Sequence, residues 1–148
     1  MRIIVDTREN TPWTFPPDIE TVPGSLPTGD YTVEGMESHV CLERKTVADL
    51  VGCFTTGRAR FKKELARMRA YPLAAVVVEG SLQQLADGEY RSRLHPNAAL
   101  GTLASWQCRF GVPFVFAHTP ELAVQYVLAL LGSYSKQLVE QLTALGVS

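Results

Sequence analysis

The sequence predicts an α/β domain in which a central mixed β-sheet is flanked by helices, and three observations lead to that class. Leu73 to Glu79 (LAAVVVE), between Pro72 and Gly80, and Pro113 to Ala117 (PFVFA) are continuous apolar runs, as expected of buried strands, the first covered on both faces. Two helix starts carry their own punctuation: Pro96 at a first helical position, and Thr119, Pro120 and Glu121 as N-cap, first position and first-turn carboxylate. The N-terminal third instead shows short strand patterns around a glycine turn. A hairpin at the start and strands linked through helices later make one mixed sheet.

Arg2 to Asp6 is a short β-branched strand ending in a carboxylate. Prolines at 12, 16, 17, 23 and 27 exclude a helix from the next stretch and predict a long surface loop. Within it, Trp13 and Phe15 either stack on an unpaired base or fold back over the sheet edge. Asp30 to Val33 and His39 to Glu43 read as two strands joined by a turn at Glu34 to Ser38, where Gly35 supplies backbone freedom. Thr46, with Asp49 three residues on, is an N-cap for a short helix through Leu50 and Val51. From Gly57 to Tyr71 the period is helical, with Phe61, Leu65 and Met68 on one face. Arg58, Lys62 and Arg69 share one flank of that helix, Arg60 and Arg67 the other, and Ala59, Ala66 and Ala70 lie between.

Pro96 opens a helix to about Phe110 that Gly111 closes, with Trp106 and Phe110 read as core. The helix from Thr119 runs through Leu131 and ends at Gly132, with His118 placed to help cap it. It is apolar nearly all round, and Leu138, Leu142 and Leu145 continue a stripe behind it, so this region lies either in the core or against a partner. No repeat or boundary divides residues 1–148, and one domain is expected.

A chain of 148 residues buries enough surface to fold without staples. Cys41, Cys53 and Cys108 are odd in number and lack a CxxC spacing, which argues against a disulfide framework or structural zinc and for a reducing cytosol. No apolar run reaches a membrane span, and the first residues lack the order of a signal peptide. The net charge of −1 suggests at first that nucleic acid is not a partner. That average hides a segregation of sign. Residues 1–42 carry Arg2 and Arg8 against Asp6, Glu9, Asp18, Glu20, Asp30, Glu34 and Glu37. Residues 43–69 reverse it, with Arg44, Lys45, Arg58, Arg60, Lys62, Lys63, Arg67 and Arg69 against Glu43, Asp49 and Glu64. Carboxylates that hold a cation beside cations that hold a phosphate strand are what a metal-dependent phosphodiesterase requires; a solvated charged helix has the same composition.

The chemistry-bearing pattern is Asp30, twelve residues, then Glu43-Arg44-Lys45. Side chains alternate along a strand, so Glu43 and Lys45 face one way, and a hairpin brings Asp30 to them. Two converging carboxylates can bind a hard divalent cation, and a lysine beside them can orient or deprotonate water and offset phosphate charge. This spacing is the pattern of the PD-(D/E)xK nucleases. With Val5-Asp6-Thr7-Arg8-Glu9, Gly29-Asp30-Tyr31, Glu43-Arg44-Lys45 through Asp49-Leu50, and Gly57-Arg58, the chain resembles the nuclease domain of the XPF family of structure-specific endonucleases.

That resemblance implies a restriction-endonuclease-like core and Mg²⁺- or Mn²⁺-dependent cleavage of branched or single-strand-containing DNA, leaving 5′-phosphate and 3′-hydroxyl ends. It implies that Asp30, Glu43 and the Arg44 backbone carbonyl hold the metal and that Lys45 is the catalytic lysine. Asp6 and Glu9 would complete the acidic site, Asp49 would orient Lys45 or Arg44, and Arg8 and Arg58 would pair with these acids or touch phosphate. Lys62 and Arg69 join Arg8 and Arg58 as expected DNA contacts. Cys53 stands where the family commonly has serine. The tandem helix-hairpin-helix module of eukaryotic and archaeal relatives is not in this chain. The resemblance further implies a homodimer through the apolar helices from Leu122 to Leu145, and a nucleoid or nuclear location beside its DNA. The alternatives are an XPF-like scaffold subunit without catalysis, or an enzyme acting on nucleotides or RNA.

Overall fold

The computed structural model describes residues 1–147. Its six strands are β1 (Arg2–Asp6), β2 (Glu20–Gly24), β3 (Tyr31–Val33), β4 (Val40–Thr46), β5 (Leu73–Glu79) and β6 (Phe114–Phe116). They form one mixed sheet in the order β2-β1-β3-β4-β5-β6. The antiparallel pairs are β1 with β3 and β3 with β4; β1 with β2, β4 with β5 and β5 with β6 are parallel. The helices are α1 (Val47–Phe54), α2 (Arg58–Met68), α3 (Leu82–Ala86), α4 (Pro96–Phe110) and α5 (Pro120–Ala144).

Two cores lie on opposite faces of the sheet. On one, Leu50, Phe54, Phe61, Leu65, Met68 and Trp106 from α1, α2 and α4 pack against Val76 and Val78. On the other, Val124, Val127 and Leu131 of α5 and Trp13 pack against Ala75, Val77, Leu42 and Tyr31. Alternation along β5 sends valines both ways, so its uninterrupted apolar run is the expected signature of a central parallel strand.

Several expectations change. The proline-rich segment contains β2, because Pro23 sits on an edge strand where a missing N–H is tolerated. The strand expected over Pro113 to Ala117 shortens to three half-buried residues, since β6 is the other edge and has a single neighbour. Gly132 does not end α5, which continues to Ala144. An internal glycine costs only about 1 kcal/mol relative to alanine, and the leucine-rich turns on either side outweigh that. His118 does not cap α5: its φ is 65°, and Thr119 Oγ1 accepts from the Leu122 N–H at 3.1 Å. His95 is the capping histidine, its Nδ1 accepting from Asn97 N–H at 3.1 Å at the start of α4. His39 lies in the turn before β4, with Nδ1 3.1 Å from the Tyr134 hydroxyl.

Trp13 folds back over the sheet, 5% exposed and stacked on Tyr31 with ring centroids 4.4 Å apart. Only part of α5 is buried. Leu122 and Tyr126 near its start, and Val139, Leu142 and the C-cap Leu145 near its end on another face, remain exposed. Among the described residues, no helix is long and apolar enough to cross a membrane.

Candidate active site

Asp30 stands just before β3 and is fixed from three directions. Its N–H donates to the Leu42 carbonyl at 2.8 Å, its own carbonyl accepts from Asp6 N–H at 2.8 Å, and its Oδ2 accepts from Arg44 N–H at 2.8 Å. The β3–β4 ladder pairs Tyr31 with Leu42, so at Arg44 this carboxylate stands where a backbone acceptor would be. Glu43 and Lys45 project from β4 to the same face, with Lys45 Nζ 3.6 Å from Glu43 Oε1 and 5.3 Å from the centre of the Phe61 ring. Asp30, Glu43 and Lys45 converge on a cavity of about 540 Å³.

Another wall of this cavity is α2, whose Glu64 lies against Glu43. Phe61, Leu65 and Met68 anchor that helix in the core. At about 100° per residue, Arg60, Glu64 and Arg67 fall together on one flank and Arg58, Lys62 and Arg69 on the other. The structure turns the first flank inward: Arg60, Glu64 and Arg67 line the cavity. Arg58 instead ties helices together, its Nη1 donating to the Phe54 carbonyl and to Thr102 Oγ1, each at 3.2 Å, with its guanidinium 4.8 Å from the centre of the Trp106 ring. Lys62 and Arg69 lie outside the cavity lining.

Asp6 and Arg8 line the same cavity. Asp6 Oδ2 accepts from Arg8 Nε at 2.7 Å and Oδ1 accepts from Leu26 N–H at 2.9 Å, while Arg8 also donates to the Leu26 carbonyl at 3.1 Å. Both Asp6 oxygens are therefore engaged in bracing the loop that carries Pro27, Thr28 and Gly29 to the site. Burial alone would raise the Asp6 carboxyl, and these hydrogen bonds overturn that and hold it below the ordinary carboxylate range. Asp49 borders the cavity, but its recorded partner is Thr46: Asp49 Oδ2 accepts from Thr46 N–H at 3.3 Å and Thr46 Oγ1 accepts from Asp49 N–H at 3.1 Å, a reciprocal capping box. Glu9 lies in a separate hollow with Pro12 and Trp13, its Oε2 3.9 Å from Arg44 Nη1 and without a hydrogen-bond partner.

Electrostatics distinguish this cavity from the rest of the surface. Burial first, then the nearby Glu64 and Asp30, push the Glu43 carboxyl far above its ordinary value. Burial also raises Asp30, against the opposing hydrogen bonds and the Lys45 charge. Burial would lower Lys45, but its acidic neighbours, Glu43 first and then Cys53, Glu64 and Asp30, outweigh that and raise it. Half-buried Cys53 lies beside this lysine, its thiol raised by burial despite that contact.

Glu64, Arg60 and Arg67 line the candidate site but lie outside the strand-borne motif. The signal for them was the helical period itself: Glu64 is three residues from Phe61, and Arg60 and Arg67 are its i−4 and i+3 neighbours. Among the described residues, no group of three or more His, Cys, Asp or Glu side chains stands in metal-binding geometry.

Residues 5–130 match the family model described as the ERCC4 domain. A putative ATP-dependent RNA helicase from Methanocaldococcus jannaschii is 30% identical over 122 residues, covering 82% of this chain and 14% of that protein. Among solved structures, XPF from Aeropyrum pernix matches with a TM-score of 0.68 at 24% identity, covering 88% of this chain and 59% of that one. The complex of Aeropyrum pernix XPF with DNA gives 0.70 at 24% identity, covering 92% and 66% respectively. The chain thus spans less than two thirds of each XPF chain, and the likeness establishes the restriction-endonuclease-like fold.

Proposed function

The chain belongs to the ERCC4 domain family, and we propose that it is a divalent-cation-dependent endonuclease that hydrolyses phosphodiester bonds in branched or single-strand-containing DNA. The convergence of Asp30, Glu43 and Lys45 on one cavity that Arg60 and Arg67 also line carries this reading. The donors suit Mg²⁺ or Mn²⁺, being hard oxygens. Asp30 Oδ2 accepts from the Arg44 N–H, the Glu43 side chain lies beside the Asp30 carboxyl and is 5% exposed, and the buried Thr28 Oγ1 has no hydrogen-bond partner. Like-signed carboxyls held this close are relieved by a cation.

Asp30 and Glu43, with the Arg44 carbonyl, would hold the ion. Bound there, Mg²⁺ or Mn²⁺ supplies Lewis-acid chemistry, neutralising phosphate charge and lowering the pKa of water. The Lys45 ammonium offsets negative charge developing on the scissile phosphate and orients the attacking water by donating to it. Arg60 and Arg67 hold the strand through its phosphates, which is sequence-independent, as recognition of DNA shape requires. Asp6 and Arg8 act by bracing the 26–30 loop, and Asp49 by capping α1. The exposed apolar side chains at the C-terminal end of α5, Val139, Leu142 and Leu145, support a homodimer built on that helix, checked by light scattering at several concentrations.

The test is cleavage of flap, fork, duplex and single-stranded DNA, with RNA alongside, in Mg²⁺ or Mn²⁺. Wild type is expected to cut the branched substrates, and Lys45→Ala to lose at least about 100-fold, the scale of removing one transition-state-stabilising group. Wild type that cuts nothing, or Lys45→Ala that cuts equally well, overturns the reading.

A further inference from the structure

The middle residue of Glu43-Arg44-Lys45 points away from the cavity into a second, tightly paired cluster. Arg44 Nε donates to both oxygens of Glu79 at 3.0 and 3.2 Å, and its Nη1 donates to the Thr11 carbonyl. Trp13 Nε1 donates to Glu79 Oε2 at 3.1 Å, and the Arg44 guanidinium lies 5.7 Å from the centre of the Trp13 ring. The side chains of Arg44 and Glu79 are 15% and 7% exposed, so this is a buried ion pair whose polar atoms are largely satisfied. On its outer side the Arg44 peptide is held by Asp30, through the 2.8 Å bond to Oδ2. The same residue joins Glu43 to Lys45. Rotation of this strand end about its axis would move Asp30, Glu43 and Lys45 together, and what clamps it from behind is Glu79.

We propose that Glu79 is a positioning residue for the cation-binding pair, acting through the Arg44 side chain from the opposite face of the sheet; the inference rests on the nuclease reading above. Residues that orient metal ligands from behind typically change metal affinity or activity by about 10–100-fold when removed. Glu79→Gln keeps the shape and the acceptor for Trp13 and removes the charge and one of the two Arg44 bonds.

The experiment titrates Mn²⁺ into the full chain without DNA by calorimetry, and separately measures cleavage and DNA affinity in EDTA. Glu79→Gln is expected to weaken Mn²⁺ binding by roughly tenfold and to raise the Mn²⁺ needed for half-maximal cleavage in step. DNA affinity in EDTA stays as in wild type, because phosphate contacts lie elsewhere. In an Arg44→Met background the substitution has no further effect on Mn²⁺ binding, as expected of residues acting in series. Arg44→Lys, which can make one bond to Glu79 but not the two-point contact, gives an intermediate loss and serves where Glu79→Gln fails to fold. Wild-type Mn²⁺ affinity in folded Glu79→Gln, a loss that adds fully to that of Arg44→Met, or a change confined to melting temperature each overturns the assignment. Wild type that neither binds Mn²⁺ nor cuts DNA overturns the nuclease reading, and this assignment with it.

Discussion

The two faces of β4 at residues 43–45 differ in how far their charges are satisfied. Toward the cavity, Glu43 and Asp30 are acids pushed up by burial and by neighbouring acids, and the recorded ion pair of Lys45 is a 3.6 Å contact with Glu43. Toward α5, Arg44 meets Glu79 at two points and sits beside Trp13. Period-two alternation puts these environments on consecutive residues of one strand. Matched charges on one side fix the backbone, while like charges held close on the other create a potential that a ligand can relieve. On the proposed reading, support and chemistry are separated by the thickness of the sheet, and a substitution should report which side it touches.

The sharpest break in that comparison is Glu43→Gln. Cleavage should fall by more than about 100-fold, beyond what loss of a supporting residue costs. The metal-free variant should nevertheless be more stable than wild type at neutral pH, by about 1–3 kcal/mol, since it removes an acid that is ionised only at a cost when buried. A carboxyl raised in the folded state contributes stability that is present below its unfolded value, ordinarily 4.5, and lost as pH rises toward the folded value. The gap between variant and wild type should therefore widen between urea melts at pH 4.5 and pH 8, and added Mn²⁺ should close it by stabilising wild type alone. A variant less stable than wild type across that range would mean that Glu43 is already paired.

The two flanks of α2 repeat the contrast on a smaller scale. Replacing Arg60 and Arg67 by alanine should lower the salt slope of DNA binding by about 2, one per phosphate contact, with little change in stability. Arg58→Ala should leave the slope intact and cost about 1–2 kcal/mol in urea melts, through the lost Thr102 and Trp106 contacts. The opposite pattern would return DNA contact to the Arg58 flank. Smallest is Thr46→Ala, which removes the cap of α1 and should cost about 1 kcal/mol with cleavage nearly unchanged. A larger loss of cleavage would show that α1 sets the cavity wall at Asp49 and Cys53.

Much of this was legible in the sequence because it is encoded locally. The Thr46 cap, the β5 run and the hairpin between β3 and β4 follow from neighbouring residues, and Asp30 with Glu43-Arg44-Lys45 follows from strand alternation. What escaped depends on contacts distant in the chain. Arg58 resembles a phosphate ligand until Trp106 and Thr102 fold beneath it. Glu79 reads as the end of a buried strand until Arg44 and Trp13 arrive. Trp13 had equal reason to stack on a base or on the sheet, and Tyr31 decides it. Gly132 is a stop signal only if the surrounding leucines leave the helix free to end.

Both borders of the sheet are poor templates for another strand. Pro23 removes a donor from β2, and β6 is three residues long. Open sheet margins recruit further chains by strand addition, so a margin that is short or lacks donors suppresses fibril-like growth. Growth by strand addition at either margin is thereby disfavoured, which leaves the proposed homodimer to side-chain contacts such as those of the exposed apolar residues of α5.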